Sequence, residues 1–386
     1  MQTSIINFYD KKFITPQNRF NIKKEELTEL KKKFDNSKIL ITGAAGSIGS
    51  FFCKNIFKFN FYELILLDKD ENGLTELNRL LATYYDKNKL KKIHYICTDL
   101  NSININNFIT TNHITHYLNF AAVKHVRSED NLISSKYMLE TNSKNFLYKK
   151  KIKSKKLSQV FSISTDKAVN PSSVLGATKK LMEYRLKEFK KLNKNVQISS
   201  VRFANVSFSN GSILKNVIDK IENKQPLGIP RNIKRFFITH QEAVNLCLKS
   251  LLGKCDNKIL VPKIEKLNKQ IYIEDLVRKI LTINKLKITQ LKKKHLKKNL
   301  FFVKFSKNLF TGQKNEEEMI TFEENKNSIK FQDCLAIPFD HRKINLGKIF
   351  NQCKKSKNLK EFKKILENNL TSYKVSKNFE NIKNTI

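Results

Sequence analysis

Short apolar runs alternate with amphipathic stretches through the first half of the chain. After a polar, lysine-rich start with one predicted helix over 25–34, six runs have the length and apolar character of buried strands, and the segments between them have helical periodicity. This alternation predicts an α/β fold, a Rossmann-like doubly wound parallel sheet covered by helices on both faces. The predicted strands cover residues 38–42, 63–68, 93–99, 116–122, 159–165 and 197–205.

Beyond residue 210 the pattern becomes helix-rich and less regular. Apolar residues recur at helical spacing in four segments, which predicts a smaller, mostly helical C-terminal part. The predicted helices of this part cover 212–226, 239–252, 271–281 and 361–370.

Composition supports a folded chain and leaves its partners open. The 386 residues are 40% hydrophobic and include 28 Phe, enough for the core of one large or two modest domains. Lys and Arg number 74 against 35 Asp and Glu, a net charge of +39 that by itself suggests nucleic acid. However, the lysines are spread from end to end, and only 149–156 and 292–298 are locally dense. We therefore expect solvated surfaces and no specific nucleic-acid site, with any such binding weak and salt-sensitive.

The six cysteines form no C-x-x-C pair and are not grouped with histidines. This spacing predicts buried, reduced thiols and no metal site. The chain also has no run of about 18 apolar residues and no apolar signal-peptide core. These features predict a soluble, cytoplasmic protein without a transmembrane segment.

A glycine-rich turn, "ITGAAGSIGS", joins the first predicted strand to its helix. Gly43, Gly46 and Gly49 have G-x-x-G-x-x-G spacing, which allows a tight turn and a close approach of the backbone to a pyrophosphate. The helix that starts at Ser47 and Ile48 offers N–H groups and a positive dipole end to that anion. The turn therefore predicts a dinucleotide cofactor.

Acidic residues end the second and third predicted strands. Asp68, 19 residues after Gly49, can accept hydrogen bonds from the adenosine ribose and would repel a 2′-phosphate, which favours NAD over NADP. Lys69 beside it weakens that preference. Asp99, followed by Leu100, lies where an acid can meet the adenine amine.

Small residues, Ala121 and Ala122, end the fourth predicted strand where the cofactor must pass closely. Four strand ends thus carry residues that suit the cofactor. We predict an NAD-binding Rossmann domain over 37–210, an N-terminal extension over 1–36, and a substrate-binding region with a C-terminal extension over 211–386.

After the glycine turn, four further motifs follow in this order within roughly residues 38 to 280: "NFAAVKHVRSED", "STDKAVNPSSVLGATKK", "VRFANVSFSNGS" and "KRFFITHQEA". With them the chain resembles the extended short-chain dehydrogenase/reductases, and within these the polysaccharide-biosynthesis branch that contains UDP-N-acetylglucosamine 4,6-dehydratases. That branch lacks the usual tyrosine four residues before Lys179 and often carries methionine there, whereas this chain has Leu175.

The resemblance implies an NAD-dependent elimination of water from a nucleotide sugar. Hydride leaves C4, the resulting ketone acidifies the C5 proton, water departs from C6, and the hydride returns to C6 to give a 4-keto-6-deoxy sugar. By resemblance, Asp166 is the acid toward C6 and Lys167 the base at C5. These roles need a protonated Asp166 and a neutral Lys167 for part of the cycle, and burial is expected to shift both pKa values in those directions.

The resemblance also implies that Thr165 hydrogen-bonds the C4 oxygen and that Lys179 holds the nicotinamide ribose. Leucine cannot titrate, so the group that takes the C4 proton stays open. Tyr184 does not replace the lost tyrosine, since the residue four later is Glu188. Candidate contacts to the sugar or diphosphate are Lys124, His125, Asn205 and Arg235, the last because arginine suits bidentate phosphate contact.

Three other functions stay open from sequence. A C4 or C5 epimerase uses the same keto intermediate, but it needs no second acid/base pair such as Asp166 and Lys167. A catalytically silent NAD-binding scaffold would explain Leu175, although Thr165 and Lys179 are retained against it. A nucleic-acid binder rests on charge alone. We expect a homo-oligomer, and the sequence leaves the sugar and its nucleotide open.

Overall fold

The computed structural model describes residues 19–267, 269–289, 299–306, 314, 316–340, 342–370 and 372–374. The lysine-dense run at 292–298 and the first 18 residues of the predicted N-terminal extension lie outside the described residues. In the described part, strands and helices are numbered in chain order.

The main sheet has nine strands, six of which are in the order 3-2-1-4-5-6. The first seven strands, counted from the Ile93–Cys97 edge, pair in parallel, and the last two strand pairings at the other edge are antiparallel. The predicted doubly wound α/β fold is confirmed. From one edge to the other the strands are β3 (Ile93–Cys97), β2 (Phe61–Asp68), β1 (Ser37–Thr42), β4 (His116–Asn119), β5 (Gln159–Ile163), β6 (Gln197–Val201), β11 (Lys258–Pro262), β16 (Cys334–Pro338) and β15 (Ile329–Phe331).

Seven further short strands form three small sheets. They are β7 (Asn205–Val206), β8 (Leu227–Pro230), β9 (Lys234–Arg235), β10 (Phe237–Ile238), β12 (Ile271–Tyr272), β13 (Lys287–Thr289) and β14 (Leu300–Ser306). The described helices are α1 (Lys24–Phe34), α2 (Ser47–Asn55), α3 (Glu71–Ala82), α4 (Lys87–Leu90), α5 (Ile105–Thr111), α6 (Leu132–Leu139), α7 (Val174–Leu192), α8 (Ile213–Glu222), α9 (His240–Ser250), α10 (Ile273–Ile283), α11 (Phe322–Lys326), α12 (Leu346–Lys355) and α13 (Leu359–Asn369).

The chain order reverses direction in the sheet between β1 and β4. In open α/β sheets this switch point forms a crevice at the carboxyl ends of the strands, where ligands bind. The glycine turn after β1 and the motif after β5 therefore lie on the same edge of the sheet.

Two predicted elements are interrupted for a physical reason. The sequence also predicts a helix over 134–149, and the structure ends it after α6 in a π-helical turn, Glu140–Lys144. That turn directs Asn142 to the backbone N–H and C=O of Val123 and to the Thr178 hydroxyl, at 2.9, 3.0 and 3.0 Å. The sixth predicted strand stops at Val201, and β7 pairs instead with β10.

The main sheet continues past residue 210, since β11, β16 and β15 extend it beyond β6. A second apolar core joins α8 and α10 to β8 and β14, and a third joins α6 and α7 to α12 and α13. The domain division at 210 remains a prediction.

Five of the six cysteines are buried as predicted, whereas Cys97 is exposed. In the part of the chain that the structure describes, no group of three or more His, Cys, Asp or Glu side chains converges on a metal-sized site. None of the described helices is long and apolar enough to cross a bilayer.

Candidate active site

The glycine turn after β1 leaves no room for side chains at two of its glycines. Gly43 has a φ of +72°, and a Cβ there would overlap the backbone nitrogen of Ala121. A Cβ at Gly49 would overlap the carbonyl oxygen of Gly43. Gly46 precedes α2 without a side-chain cap, so the first N–H groups of the helix, from Ser47 on, suit a pyrophosphate.

A loop after β7 closes against this turn. The Asn210 N–H donates to Ser47 Oγ at 2.8 Å, and a Cβ at Gly211, where φ is +69°, would overlap the His125 ring. His125 therefore lies against the loop that contacts the glycine turn, and Lys124 beside it is exposed. Sequence reasoning named His125 but missed Gly211.

Asp68 lies at the end of β2, as predicted, and also holds the turn itself. One carboxylate oxygen accepts from the Ala45 N–H at 2.9 Å and the other from the Asp70 N–H at 3.1 Å. Each carboxylate oxygen has two lone pairs, so acceptor capacity remains for a ribose hydroxyl.

Asp99 follows β3 and accepts from the Asn101 N–H at 2.8 Å and from the Tyr137 hydroxyl at 2.6 Å. Tyr137, on α6, was not predicted from sequence. Leu100, a predicted cofactor contact, is buried in the main apolar core.

A buried asparagine connects the ends of three strands. Asn119 Oδ1 accepts from the Thr42 hydroxyl at 2.7 Å and from the Ala121 N–H at 3.2 Å, and its amide donates to Ser162 Oγ at 2.9 Å. These bonds fix Ala121 beside Gly43. Ala122 is exposed.

The structure places three of the predicted catalytic residues in one short turn at the carboxyl end of β5. Asp166 is 2% exposed, and its Oδ1 lies 2.8 Å from Thr165 Oγ1 and 3.0 Å from Lys167 Nζ. Lys179, on α7, donates to the Ile163 carbonyl at 3.0 Å, two residues before Thr165. The four residues therefore surround the end of β5.

The expected shift of the Lys167 pKa is wrong in direction. Burial lowers the pKa of Lys167, but the carboxylates of Asp166 and Glu317 more than offset it, and the net shift is upward. Lys179 behaves differently, since burial lowers its pKa to about 8 against the opposing effect of Glu183. Because its pKa is raised, Lys167 is an ammonium ion, and it pairs with the Asp166 carboxylate at 3.0 Å.

Glu317 is a candidate site residue that was not predicted from sequence. It is 6% exposed, and its Oε1 lies 3.7 Å from both Lys167 Nζ and Arg235 Nη2. Burial raises the pKa of Glu317, and the charge of Lys167 counteracts that shift. Three consecutive glutamates, 316–318, in such a basic chain were the available signal.

Residues on either side of Glu317 contact β9 and the loop that follows the Thr165–Lys167 turn. The Lys314 carbonyl accepts from Arg235 at 2.8 Å, and Glu318 accepts from the Asn170 amide at 3.0 Å. A cavity of about 890 Å³ opens beside these contacts. It is lined in part by Asn170, Pro171, Ser172, Phe236, Glu317 and Met319.

The two remaining predicted substrate residues are half-buried or buried. The Asn205 amide donates to the Phe236 carbonyl at 3.2 Å, and Arg235 donates to backbone carbonyls and pairs with Glu317. Asn205 lies in β7 and Arg235 in β9, in two different small sheets. Their predicted contact with a diphosphate remains a prediction.

Leu175 occupies the tyrosine position and is 5% exposed within the third apolar core. Its N–H donates to Glu129 Oε1 at 2.8 Å, and the Val174 N–H donates to Oε2 at 2.9 Å. Glu129 thus caps α7 with both oxygens. Burial raises the pKa of Glu129 to about 7, although these two N–H groups and Lys363 counteract the shift.

Replacing Glu129 by glutamine should change stability to a different extent at pH 5 and pH 7.5. The folded-state pKa of about 7 lies above the ordinary 4.5, so the stabilising contribution is complete below about pH 4.5 and is lost as the pH rises through 7. Over this range the free energy of unfolding of the wild type should fall relative to Glu129→Gln by up to about 3 kcal/mol. Urea unfolding of the wild type and Glu129→Gln at pH 5 and pH 7.5 measures this difference in the free energy of unfolding. Glu76→Gln, at an exposed position, is the control. Parallel pH profiles for wild type and Glu129→Gln would contradict the assignment.

The fold, the glycine turn and the β5 motif define an extended short-chain dehydrogenase/reductase of the polysaccharide-biosynthesis branch. The chain belongs to the polysaccharide biosynthesis protein family, whose profile matches residues 39–338. The earlier resemblance is therefore confirmed.

Relatives cover different fractions of the chain. A capsular polysaccharide biosynthesis protein, CapD of Staphylococcus aureus, is 30% identical over 235 residues, which are 58% of this chain and 37% of that protein. The chain therefore spans well under half the length of CapD. A UDP-glucose 4-epimerase of Rickettsia bellii is 26% identical over 332 residues, covering 82% of this chain and 87% of that protein. A UDP-N-acetylglucosamine 4,6-dehydratase (inverting) of Campylobacter jejuni is 23% identical over 246 residues, covering 60% and 68%.

Solved structures show the same fold at low identity. Pen from Bacillus thuringiensis superposes with a TM-score of 0.64 and 21% identity, covering 81% of this chain and 90% of that one. The Bordetella bronchiseptica enzyme WbmF, solved with NAD⁺ and UDP, has a TM-score of 0.51 and 14% identity, covering 66% and 80%. These similarities support the fold assignment.

Proposed function

We propose that the protein is an NAD-dependent nucleotide-sugar 4,6-dehydratase that acts on UDP-N-acetylglucosamine or a related nucleotide sugar in surface polysaccharide or glycan biosynthesis. The observation that carries this proposal is the contact of 3.0 Å between Asp166 and Lys167 at the end of β5. Elimination needs an acid and a base close together, because they act on the two ends of one C5–C6 bond.

The cofactor proposal rests on the tight glycine turn and the uncapped start of α2, which suit the pyrophosphate of NAD. Asp68 and Asp99 would hold the adenosine, and Lys179 the nicotinamide ribose. Bound NAD⁺ would accept a hydride from C4 and return it to C6. The remaining steps are proton transfers and the loss of the C6 hydroxyl as water. Side chains of this protein would carry the proton transfers.

The contacts around Asp166 support a sequence of proton transfers that needs no tyrosine and returns each side chain to its starting protonation state. The C4 hydroxyl proton passes through the Thr165 hydroxyl to Asp166, and Lys167 transfers its own proton to Glu317. Asp166 is then protonated and Lys167 neutral, which are the forms that elimination requires.

In the elimination itself, Lys167 takes the C5 proton while the C6–O bond breaks, and Asp166 protonates the departing hydroxyl to give water. Lys167 returns the proton to C5 as hydride reaches C6. Glu317 then gives its proton back to Lys167, which restores the ion pair. The raised pKa of Glu317 suits a group that holds a proton for part of the cycle.

Incubation of the purified chain with NAD⁺ and a panel of UDP-, GDP- and dTDP-sugars tests the proposal. We expect a product lighter by one water for at least one sugar, detected by mass spectrometry. A 4-epimerase is the second candidate, favoured by a relative of that name that covers 82% of the chain. It would give an isomer of unchanged mass, and a silent scaffold would bind NAD without any product; either result would overturn the dehydratase proposal.

A further inference from the structure

A tyrosine on α6 connects two residues at the adenosine end of the proposed cofactor site. Lys69 Nζ donates to the Tyr137 hydroxyl at 3.2 Å and lies 5.0 Å from the centre of its ring. The same hydroxyl donates to Asp99 Oδ2 at 2.6 Å. Because the residues come from the ends of β2 and β3 and from a separate helix, the chain Lys69–Tyr137–Asp99 is a tertiary arrangement.

Lys69 is a cation next to Asp68, the residue expected to favour NAD over NADP. Asp68 disfavours a 2′-phosphate, whereas a free ammonium one residue later would attract it. The hydrogen bond to Tyr137 raises the pKa of Lys69, with the carboxylates of Asp99 and Asp68 acting in the same direction, so Lys69 is charged. Lys69 is exposed, and its position is therefore set by the few contacts that it makes.

We propose that Tyr137 is a specificity-determining residue that withholds Lys69 from a 2′-phosphate. The tyrosine engages the ammonium through its hydroxyl and its ring and connects it to the carboxylate of Asp99. Asp68 is then the group that the ribose 2′ position meets, and NAD is preferred. This inference rests on the dinucleotide site of the proposed function.

Dissociation constants for NAD⁺ and NADP⁺, measured by calorimetry on the full chain, test the inference. The wild type should prefer NAD⁺. In Tyr137→Phe the released Lys69 should tighten NADP⁺ relative to NAD⁺ by about tenfold, the scale of one added charge-assisted hydrogen bond. In the double variant Tyr137→Phe, Lys69→Gln the ratio should return to the wild-type value, since the gain needs the ammonium.

The control is Tyr62→Phe, a tyrosine on β2 that is 61% exposed, and it should leave both constants unchanged. An unchanged NAD⁺ to NADP⁺ ratio in Tyr137→Phe would overturn the inference, and so would an equal weakening of both cofactors. Persistence of the gain in the double variant would also overturn it. If the folded wild type binds neither dinucleotide, the proposed function fails, and the inference fails with it.

Discussion

Asp166→Asn and Lys167→Ala should each lower the turnover of the nucleotide sugar by about 10²-fold or more, the usual scale for a positioned acid or base. Asparagine cannot supply the proton that the C6 hydroxyl needs, and alanine cannot take the proton from C5. Mass-spectrometric rates at saturating substrate give the effect on kcat. NAD⁺ affinity should change little, because neither side chain contacts the glycine turn.

Two further variants separate chemistry from structure. Lys58→Ala, on an exposed turn, should leave the rate unchanged. Glu317→Gln should lower kcat less than Lys167→Ala and alter its pH profile, because Lys167 then loses its proton to solvent rather than to a carboxylate 3.7 Å away. Full activity in the Asp166→Asn, Lys167→Ala double variant would remove both residues from the mechanism, and His125 would be the next candidate.

The Rossmann half was predictable because its strands are buried on both faces and are therefore near-continuous apolar runs. β1, "SKILIT", is such a run, and every predicted strand from β1 to β6 is present. β11 and β16 were missed although both are short and apolar, because they pair across more than 70 residues in a region of weak periodicity. Sequence pattern shows which stretches are apolar, and long-range pairing decides which of them join the sheet.

The same limit applies to the candidate site. Asp166 and Lys167 are neighbours in the chain, so their proximity could be predicted, as could the role of the glycines in a turn. Glu317 reaches Lys167 across 150 positions, and Tyr137 reaches Asp99 across 38. Neither residue belongs to a local motif, and only the fold brings these partners together.

An ion cluster behind the site connects β6 to α7 and α11. Arg202 is fully buried, with Nε and Nη2 each 2.7 Å from the Glu183 carboxylate and Nη1 and Nη2 each 2.9 Å from that of Glu324. Glu183 also accepts from the hydroxyl of Ser164, the residue before Thr165, at 2.7 Å. Although burial opposes it, the charge of Arg202 lowers the pKa of Glu324 to about 2. The cluster therefore contains a buried cation shared by two carboxylates.

Arg202→Met should lower the free energy of unfolding by about 3–5 kcal/mol, the usual cost of leaving a buried charge without its partner. Methionine preserves much of the volume but leaves Glu183 and Glu324 facing each other near Lys180 alone. Arg202→Lys should recover only part of the loss, because an ammonium cannot bridge two carboxylates in bidentate fashion.

Urea unfolding measures these changes, and Arg79→Met is the matched control. Arg79 pairs with Glu76 on the surface, with both side chains about 70% exposed, so its loss should cost less than about 1 kcal/mol. An equally small change in Arg202→Met would show that the cluster contributes little to stability, and the position of Ser164 beside Thr165 would then need another explanation.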